Sequence, residues 1–482
     1  MRIALVSGDG LPVSGLLTTF RNVVDIGFAQ GLLDLPIPAD LGYSWRPDKA
    51  AFYPHGDGVR GYPHWLLVTD RCPVAGDPAR IRREWLDIRA AVADPDALSD
   101  DERTDLRHRI DVLARAYEHH FTAWLDEHDI DWVIAVNLIL PDAVPVTLGL
   151  QAAAARRYGE RGRTGGILFW DHDLFGSCAV VKDGTRVYPQ RPNEFTPLPQ
   201  DNGHTAWAVV SEPLKAETDG YPASIAARVV SNVLPTGANA PISGRHTEFA
   251  AQRGLRSGAP LILCPVRMFR VKGVDLAVRL LAATARECDR LGRPRPQLLV
   301  FGSLSEDPGY AKEVLGLVER EQVGDDVVFL DGVPLNSYRE PTGNWVLDEV
   351  DLLRLAASTG GMVFFTPNTP DVETVGLGPA LASLAGLPSV TTGFTALDDV
   401  YGPDYRTMRV DIVPERLCDA APAVVRALHE PQARYDNGGN GANLDILRRV
   451  FPPDQWLALL RELHAARAGS GDAPVLTGGT RR

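Results

Sequence analysis

The chain lacks the features that would tie it to an oxidising compartment, a membrane or a nucleic acid. Its five cysteines, Cys72, Cys178, Cys264, Cys288 and Cys418, are odd in number and show no CxxC spacing. That pattern points away from a disulfide framework and from a zinc knuckle, and fits the cytoplasm. No apolar run approaches the roughly 18–20 residues a membrane span needs, and the opening MRIALVSG reads as a strand entering a glycine loop rather than as a signal peptide. Positive charge is in deficit: the formal net charge is −13, so neither a nucleic acid nor an anionic bilayer has a basic surface to grip. Internal repeats and low-complexity blocks are absent as well.

What is present is ordinary in amount and informative in order. With 482 residues, 45% hydrophobic and 23% charged, the chain can build two domains of roughly 200 residues, each with its own core. Strand-like and helix-like runs alternate, the signature of parallel α/β sheets. In the first half strands are expected at 2–7, 131–137, 166–170, 206–210 and 227–230, and helices at 16–31, 79–91, 99–128 (whole or broken) and 143–158. The Pro-, Gly- and Tyr-rich stretch 36–77 has no clear period and reads as an irregular insertion. Gly and Pro punctuate 232–260, which marks a boundary. A second α/β unit follows, with strands at 261–266, 297–302 and 327–330 and helices at 275–291, 310–321 and 347–357. The expected organisation is a first domain over 1–240, a linker over 241–259, a second domain over 260–440, closing helices over 441–467 that pack back on the first domain, and a flexible tail over 468–482.

The most telling stretch is GMVFFTPNTPDVETVGLGPALASLAGLPSVTT, residues 361–392. An apolar strand, Met362 to Phe365, ends in a loop carrying the acid Glu373. A turn with Gly376 and Gly378 then opens a small-residue helix, and Gly386 and Pro388 close it before a second strand. Unpaired N–H groups at a glycine-flanked helix start suit a phosphate, and an adjacent acid suits a sugar hydroxyl. Upstream, Arg267 and Lys272 lie five residues apart in one loop, CPVRMFRVKG, where two cations can converge on a diphosphate.

Glu373-Thr-Val-Gly376, with Ala382, Gly386 and Pro388 in register, resembles the donor-sugar motif of family 4 retaining glycosyltransferases, and Arg267 with Lys272-Gly273 resembles that family's Arg-x4-Lys-Gly pattern. The resemblance implies the GT-B fold: an α/β protein of two Rossmann-like domains facing each other across a cleft. It implies transfer of a sugar from a nucleotide diphosphate sugar, with Arg267, Lys272, Glu373 and His172 as catalytic positions. Gly15, Gly302, Val375, Gly376, Leu377, Gly378 and Leu381 would line the donor. At Leu381 the chain departs from the family, which carries a second, ribose-binding glutamate there, so the donor could be a GDP-, UDP- or ADP-sugar.

The resemblance is looser in the first half. Phe169-Trp-Asp171-His172-Asp173 follows an apolar strand where the family places a His or His-Asp, so His172 would sit near the donor's reacting carbon with Asp173 orienting it. Asp171 and Asp173 are equally plausible as caps for the next element. Asn137, at a strand end, would touch either substrate or cap a turn. Gly302 would admit a nucleotide close to the backbone or is a plain turn residue. The loop Ser7-Gly8-Asp9-Gly10 with Gly15 would bring backbone N–H groups toward the diphosphate; its glycine spacing does not match the GxGxxG of a dehydrogenase.

No cofactor beyond the nucleotide sugar is expected, and no metal. The expected partners are that donor and a small polar acceptor, without nucleic acid or an integral membrane segment, and with homo-oligomerisation left open. The frequent Ala, Arg, Gly and Pro resemble an actinobacterial proteome, a setting for antibiotic and low-molecular-weight thiol pathways. Two other readings stand beside this one. In the first, Asp171-His172-Asp173 is the DxD metal clamp of a GT-A-like glycosyltransferase. In the second, the chain is a degenerate GT-B protein that binds a sugar or nucleotide without turning it over.

Overall fold

The computed structural model describes residues 1–8, 14–43, 45–46, 62–69, 73–175, 180–182, 185–187, 191–370 and 373–467. Asp9, Gly10, Cys72, Cys178 and the tail 468–482 therefore lie outside the described residues.

Two parallel sheets organise the chain. The first is built from β1 (Ile3–Ser7), β2 (Ile37–Asp40), β3 (Leu66–Thr69), β4 (Trp132–Val136) and β5 (Gly166–Asp171). A small hairpin, β6 (Val180–Lys182) and β7 (Thr185–Val187), precedes its last strands, β8 (Thr205–Val209) and β9 (Arg228–Val229). The order is β3-β2-β1-β4-β5-β8-β9, and every pairing is parallel. The second sheet takes β10 (Leu261–Cys264), β11 (Gln297–Val300), β12 (Val327–Phe329), β15 (Met362–Phe365), β16 (Ser389–Thr392) and β17 (Met408–Val410), with the ribbon β13 (Tyr338–Arg339) and β14 (Trp345–Val346) outside it. Its order, β12-β11-β10-β15-β16-β17, is again parallel throughout.

Buried on both faces, these strands are near-continuous apolar runs such as WVIAV, LILC and MVFF. In each sheet the order reverses once, between β1 and β4 in the first and between β10 and β15 in the second. Open α/β sheets bind ligands in the crevice outside the carboxyl ends of the strands flanking such a reversal. The fold thus nominates two places: the loops after β1 and β4, and the loops after β10 and β15.

The region read as an irregular insertion supplies two of the sheet's strands, β2 and β3. The strand IPAD is four residues long, buried throughout and carries a proline, so neither alternation nor β-propensity marks it. The helix expected over 99–128 is continuous from Asp100 to Glu127. Its start is secured by a capping box between Ser99 and Glu102, and Leu106, Ile110, Leu113, Tyr117, Phe121 and Trp124 form one buried stripe.

Residues 241–259 carry a helix, Gly244–Gln252, whose Phe249 is buried in the apolar cluster around Leu261, Leu352 and Val363. The helix Pro453–Arg467 lies against the first sheet. Trp132 Nε1 donates to Leu463 O at 3.2 Å, Arg228 pairs with Glu462 at 2.6 Å, and the Trp456 ring meets Trp170 at 4.6 Å. From the first domain's helix Gly15–Ala29, buried Arg21 donates through Nη1 to Leu335 O at 2.8 Å. Among the described residues no helix is long and apolar enough to cross a membrane.

Candidate active site

At the reversal of the second sheet, the loop after β10 and the loop after β15 are sewn together. Gly273 is left-handed (φ 65°) and starts the helix Val274–Leu291; a Cβ there would lie 1.8 Å from Thr366 O. Only glycine fits. Thr366 Oγ1 donates to Gly273 O at 2.9 Å, Asn368 N to Val271 O at 3.2 Å, and Asn368 Nδ2 to Arg270 O at 2.6 Å. This seam brings Lys272 and Glu373 face to face: Lys272 Nζ donates to Glu373 Oε1 at 2.6 Å, with the side chains 25% and 11% exposed.

The glycines that follow Glu373 are held by aromatic rings. Gly376 has φ 66°, and its Cβ would meet the Phe394 ring at 2.6 Å; the Cβ of Gly378 would meet Phe365 at 2.3 Å. Tyr401, buried, donates its hydroxyl to Gly376 O at 2.8 Å. Burial drives the Tyr401 phenol well above its ordinary range, with Tyr405 and Glu373 adding to the shift, so it stays a neutral donor. Val375 is buried, Leu377 partly so, and Leu381 is 5% exposed within the apolar cluster of Leu261, Leu263 and Val363. Leu381 is thus a core side chain in this structure. The helix Gly378–Leu384 is short, and its second residue, Pro379, has no N–H to offer.

Arg267 sits at the end of β10 with its Nε donating to Glu306 Oε1 at 3.0 Å. Gly302 has a packing reason to be glycine: a Cβ would stand 2.3 Å from Met268 N and 2.7 Å from Arg267 C. The backbone of the Arg267 loop fills that space. Glu306 was not singled out in the sequence; an acid in the loop SLSED after a strand end was its one visible signal.

In the first sheet, Ser7 of β1, Val136 of β4 and Trp170 of β5 stand in one row, so the residues after them share one edge. Asn137 is left-handed (φ 55°). Its Oδ1 accepts from His172 N at 2.7 Å and from Asp173 N at 3.1 Å, and its Nδ2 donates to Asp173 Oδ2 at 3.0 Å. It organises the turn that carries both. His172 is 7% exposed, with its ring 4.4 Å from that of Trp170, and its Nε2 is buried with no hydrogen-bond partner among the described residues. Burial pulls its pKa down to about 3, which keeps the imidazole neutral. The Trp170 ring beside His172 in turn meets that of Trp456, from the far end of the chain, at 4.6 Å.

Asp171 is buried, its Oδ2 accepting from Trp207 Nε1 at 2.8 Å. Burial pushes its pKa up to about 8, against the Trp207 bond and with a further push from Asp173. The two carboxylates of the DxD reading are therefore taken by different groups, Trp207 and Asn137. Among the described residues no set of three or more His, Cys, Asp or Glu is placed to hold a metal ion.

Gly15 opens the first domain's helix with open space where a Cβ would stand, beside Ser14, whose Oγ caps Leu17 N at 3.0 Å. Three polar residues unseen in the sequence gather at the neighbouring strand ends. Asp40 accepts through Oδ1 from Gly42 N at 3.0 Å and Trp45 Nε1 at 3.2 Å, and burial raises its pKa to about 6 against those two bonds. Arg46 lies over Gly8 and pairs with Asp142 at 2.5 Å.

No protein-family model matches the sequence, and no curated protein matches it. Solved structures do match in shape. A sucrose-phosphate synthase from Thermosynechococcus elongatus superposes with a TM-score of 0.57 at 15% identity, over 97% of this chain and 100% of that one. A glycosyltransferase from Rickettsia africae gives 0.56 at 12%, over 97% and 99%. The Anabaena protein HepE, in complex with UDP and glucose, gives 0.54 at 13%, over 97% and 100%. Together with the two parallel sheets, these likenesses establish the fold: it is GT-B, two Rossmann-like domains facing each other across a cleft.

Proposed function

We propose that the chain is a retaining glycosyltransferase that moves a hexose from a nucleoside diphosphate donor to a small soluble acceptor. The observation that carries this reading is the pairing of Lys272 with Glu373 at the strand-order reversal of the second sheet of a GT-B fold. A cation able to meet a diphosphate and a carboxylate able to meet sugar hydroxyls stand in contact where α/β sheets take their ligands.

In this reading the second domain, 260–440, holds the donor and the first, 1–240, the acceptor. Arg267 and Lys272 stabilise the departing diphosphate, preorganised charge being the main catalytic device. Glu373 positions the hexose. The donor's own phosphate takes the acceptor proton on the face from which it departs, so no carboxylate nucleophile and no metal are required. UDP-glucose is the first donor to test, because the Anabaena protein is described in complex with it, followed by GDP- and ADP-sugars. The cytoplasm and an antibiotic or low-molecular-weight thiol pathway complete the proposal.

The test is release of nucleoside diphosphate from UDP-, GDP- and ADP-glucose in excess chelator with a panel of small polyols, sugars and thiols. Turnover with one donor, lowered by roughly tenfold or more in Lys272→Ala and in Glu373→Gln, supports the reading; turnover that returns only with manganese overturns its metal-free mechanism.

A second reading is favoured by one observation, the burial of Leu381 in apolar core where the family carries a ribose-binding glutamate. A degenerate protein would bind nucleotide sugars without consuming them. It would raise its melting temperature with them and release no product.

A further inference from the structure

The end of β11 is built to receive the loop after β10. Gly302 removes the side chain that would collide with Met268 N and Arg267 C, so the Arg267–Met268 backbone settles directly on the strand end. Four residues on, Glu306 meets it from the other side. The Glu306 side chain is fully buried, and its two oxygens divide their work: Oε2 accepts from Met268 N at 2.6 Å and Oε1 from Arg267 Nε at 3.0 Å. The Glu306 N–H donates to Ser303 O at 3.1 Å, which ties the acid to its own turn.

Holding one backbone N–H needs only one acceptor, and a serine or asparagine would serve at lower desolvation cost. The second oxygen makes a carboxylate necessary, and it is aimed at a guanidinium. Arg267 is restrained a second time by the Phe269 ring, whose centroid lies 4.6 Å from its Cζ. A ring against the face fixes the guanidinium plane, and a carboxylate on the Nε edge fixes its rotation within that plane. An arginine side chain, rich in rotamers, is thereby held in one orientation before any ligand arrives, so less entropy is lost on binding.

We propose that Glu306 is the positioning residue of Arg267: it sets the guanidinium for the diphosphate of the donor and touches neither donor nor acceptor itself. The inference rests on the donor-binding reading of Arg267 and goes beyond it by naming the residue on which that binding depends.

Calorimetric titration of the full chain with UDP, GDP and ADP, and with UMP, GMP and AMP, tests both levels separately. Glu306→Gln keeps an oxygen for Met268 N and turns an amide toward Arg267 Nε, so it breaks the positioning contact while sparing the loop. The expected result is diphosphate affinity weakened by about tenfold or more, monophosphate affinity changed by less than about twofold, and no further loss when Glu306→Gln is added to Arg267→Ala. Arg267→Lys, which keeps the charge without the planar fork, should resemble Glu306→Gln, and it carries the same test should Glu306→Gln fail to fold. Unchanged diphosphate affinity, equal losses for mono- and diphosphates, or losses that add in the double variant would overturn the positioning role. A wild-type chain that binds none of the three diphosphates would overturn the donor reading itself, and the positioning role with it.

Discussion

Lys272 Nζ donates to Glu373 Oε1 at 2.6 Å across the reversal of the second sheet, joining a loop that leaves β10 to one that leaves β15. Each residue is thus the other's counter-charge and, in the proposed function, a ligand group as well. Neither side chain is more than 25% exposed, so the pair is screened less than a surface one, and its coupling in a double-mutant cycle should be about 1 kcal/mol by urea denaturation. Its weight in catalysis should be larger. Lys272→Ala and Glu373→Gln should each lower turnover by roughly tenfold to a hundredfold, from the loss of a charge-assisted contact of about 1.5–3 kcal/mol.

Gly273 and Gly15 make opposite predictions although both begin helices. Gly273→Ala puts a Cβ 1.8 Å from Thr366 O at φ 65°, and should destabilise the chain by about 2–4 kcal/mol in chemical denaturation. Gly15→Ala meets nothing within 4 Å, and should leave stability within about 0.5 kcal/mol or raise it. Any loss of turnover in Gly15→Ala then reports on bound ligand rather than on folding.

Asn137 combines a left-handed backbone with three side-chain hydrogen bonds. Asn137→Ala should cost about 2–3 kcal/mol, and Asn137→Gly less, since glycine relieves the backbone part and leaves only the lost bonds. Equal losses in urea denaturation would show that the conformation at 137 carries no strain.

The paired shifts at the end of β5 set a pH dependence. Asp171 has its folded pKa raised from 3.8 to about 8, so its contribution to stability is fully present below about pH 4 and is lost as pH rises toward 8. His172 is depressed from 6.5 to about 3, so its contribution is present above about pH 6.5 and is lost as pH falls toward 3. Asp171→Asn removes the first effect. The difference in Tm between this variant and the wild type should therefore rise from about pH 5 to about pH 8; a constant difference would contradict the buried, raised carboxyl.

Much of this architecture was legible because its determinants are local. Apolar runs such as MVFF and LILC, broken by glycine and separated by helical periods, mark strands that must be covered on both faces. Lys272 and Glu373 were legible as separate motif positions, and the parallel pairing of β10 with β15 is what turns them into neighbours. The losses have one cause, dependence on distant chain. The strand IPAD has no pattern of its own and is a strand only because β1 and β3 flank it. Glu306 gains meaning from Arg267, whose loop lands on it through Gly302. The Trp170 ring packed on His172 also meets Trp456, a neighbour that no local window around FWDHD can contain.

The most direct test of the central claim is the anomeric configuration of the product, read from the proton NMR coupling of the purified glycoside. Transfer from an α-linked nucleotide sugar, with acceptor and leaving phosphate on the same face beside Lys272 and Glu373, predicts an α-linked product. A β-linked product would contradict it.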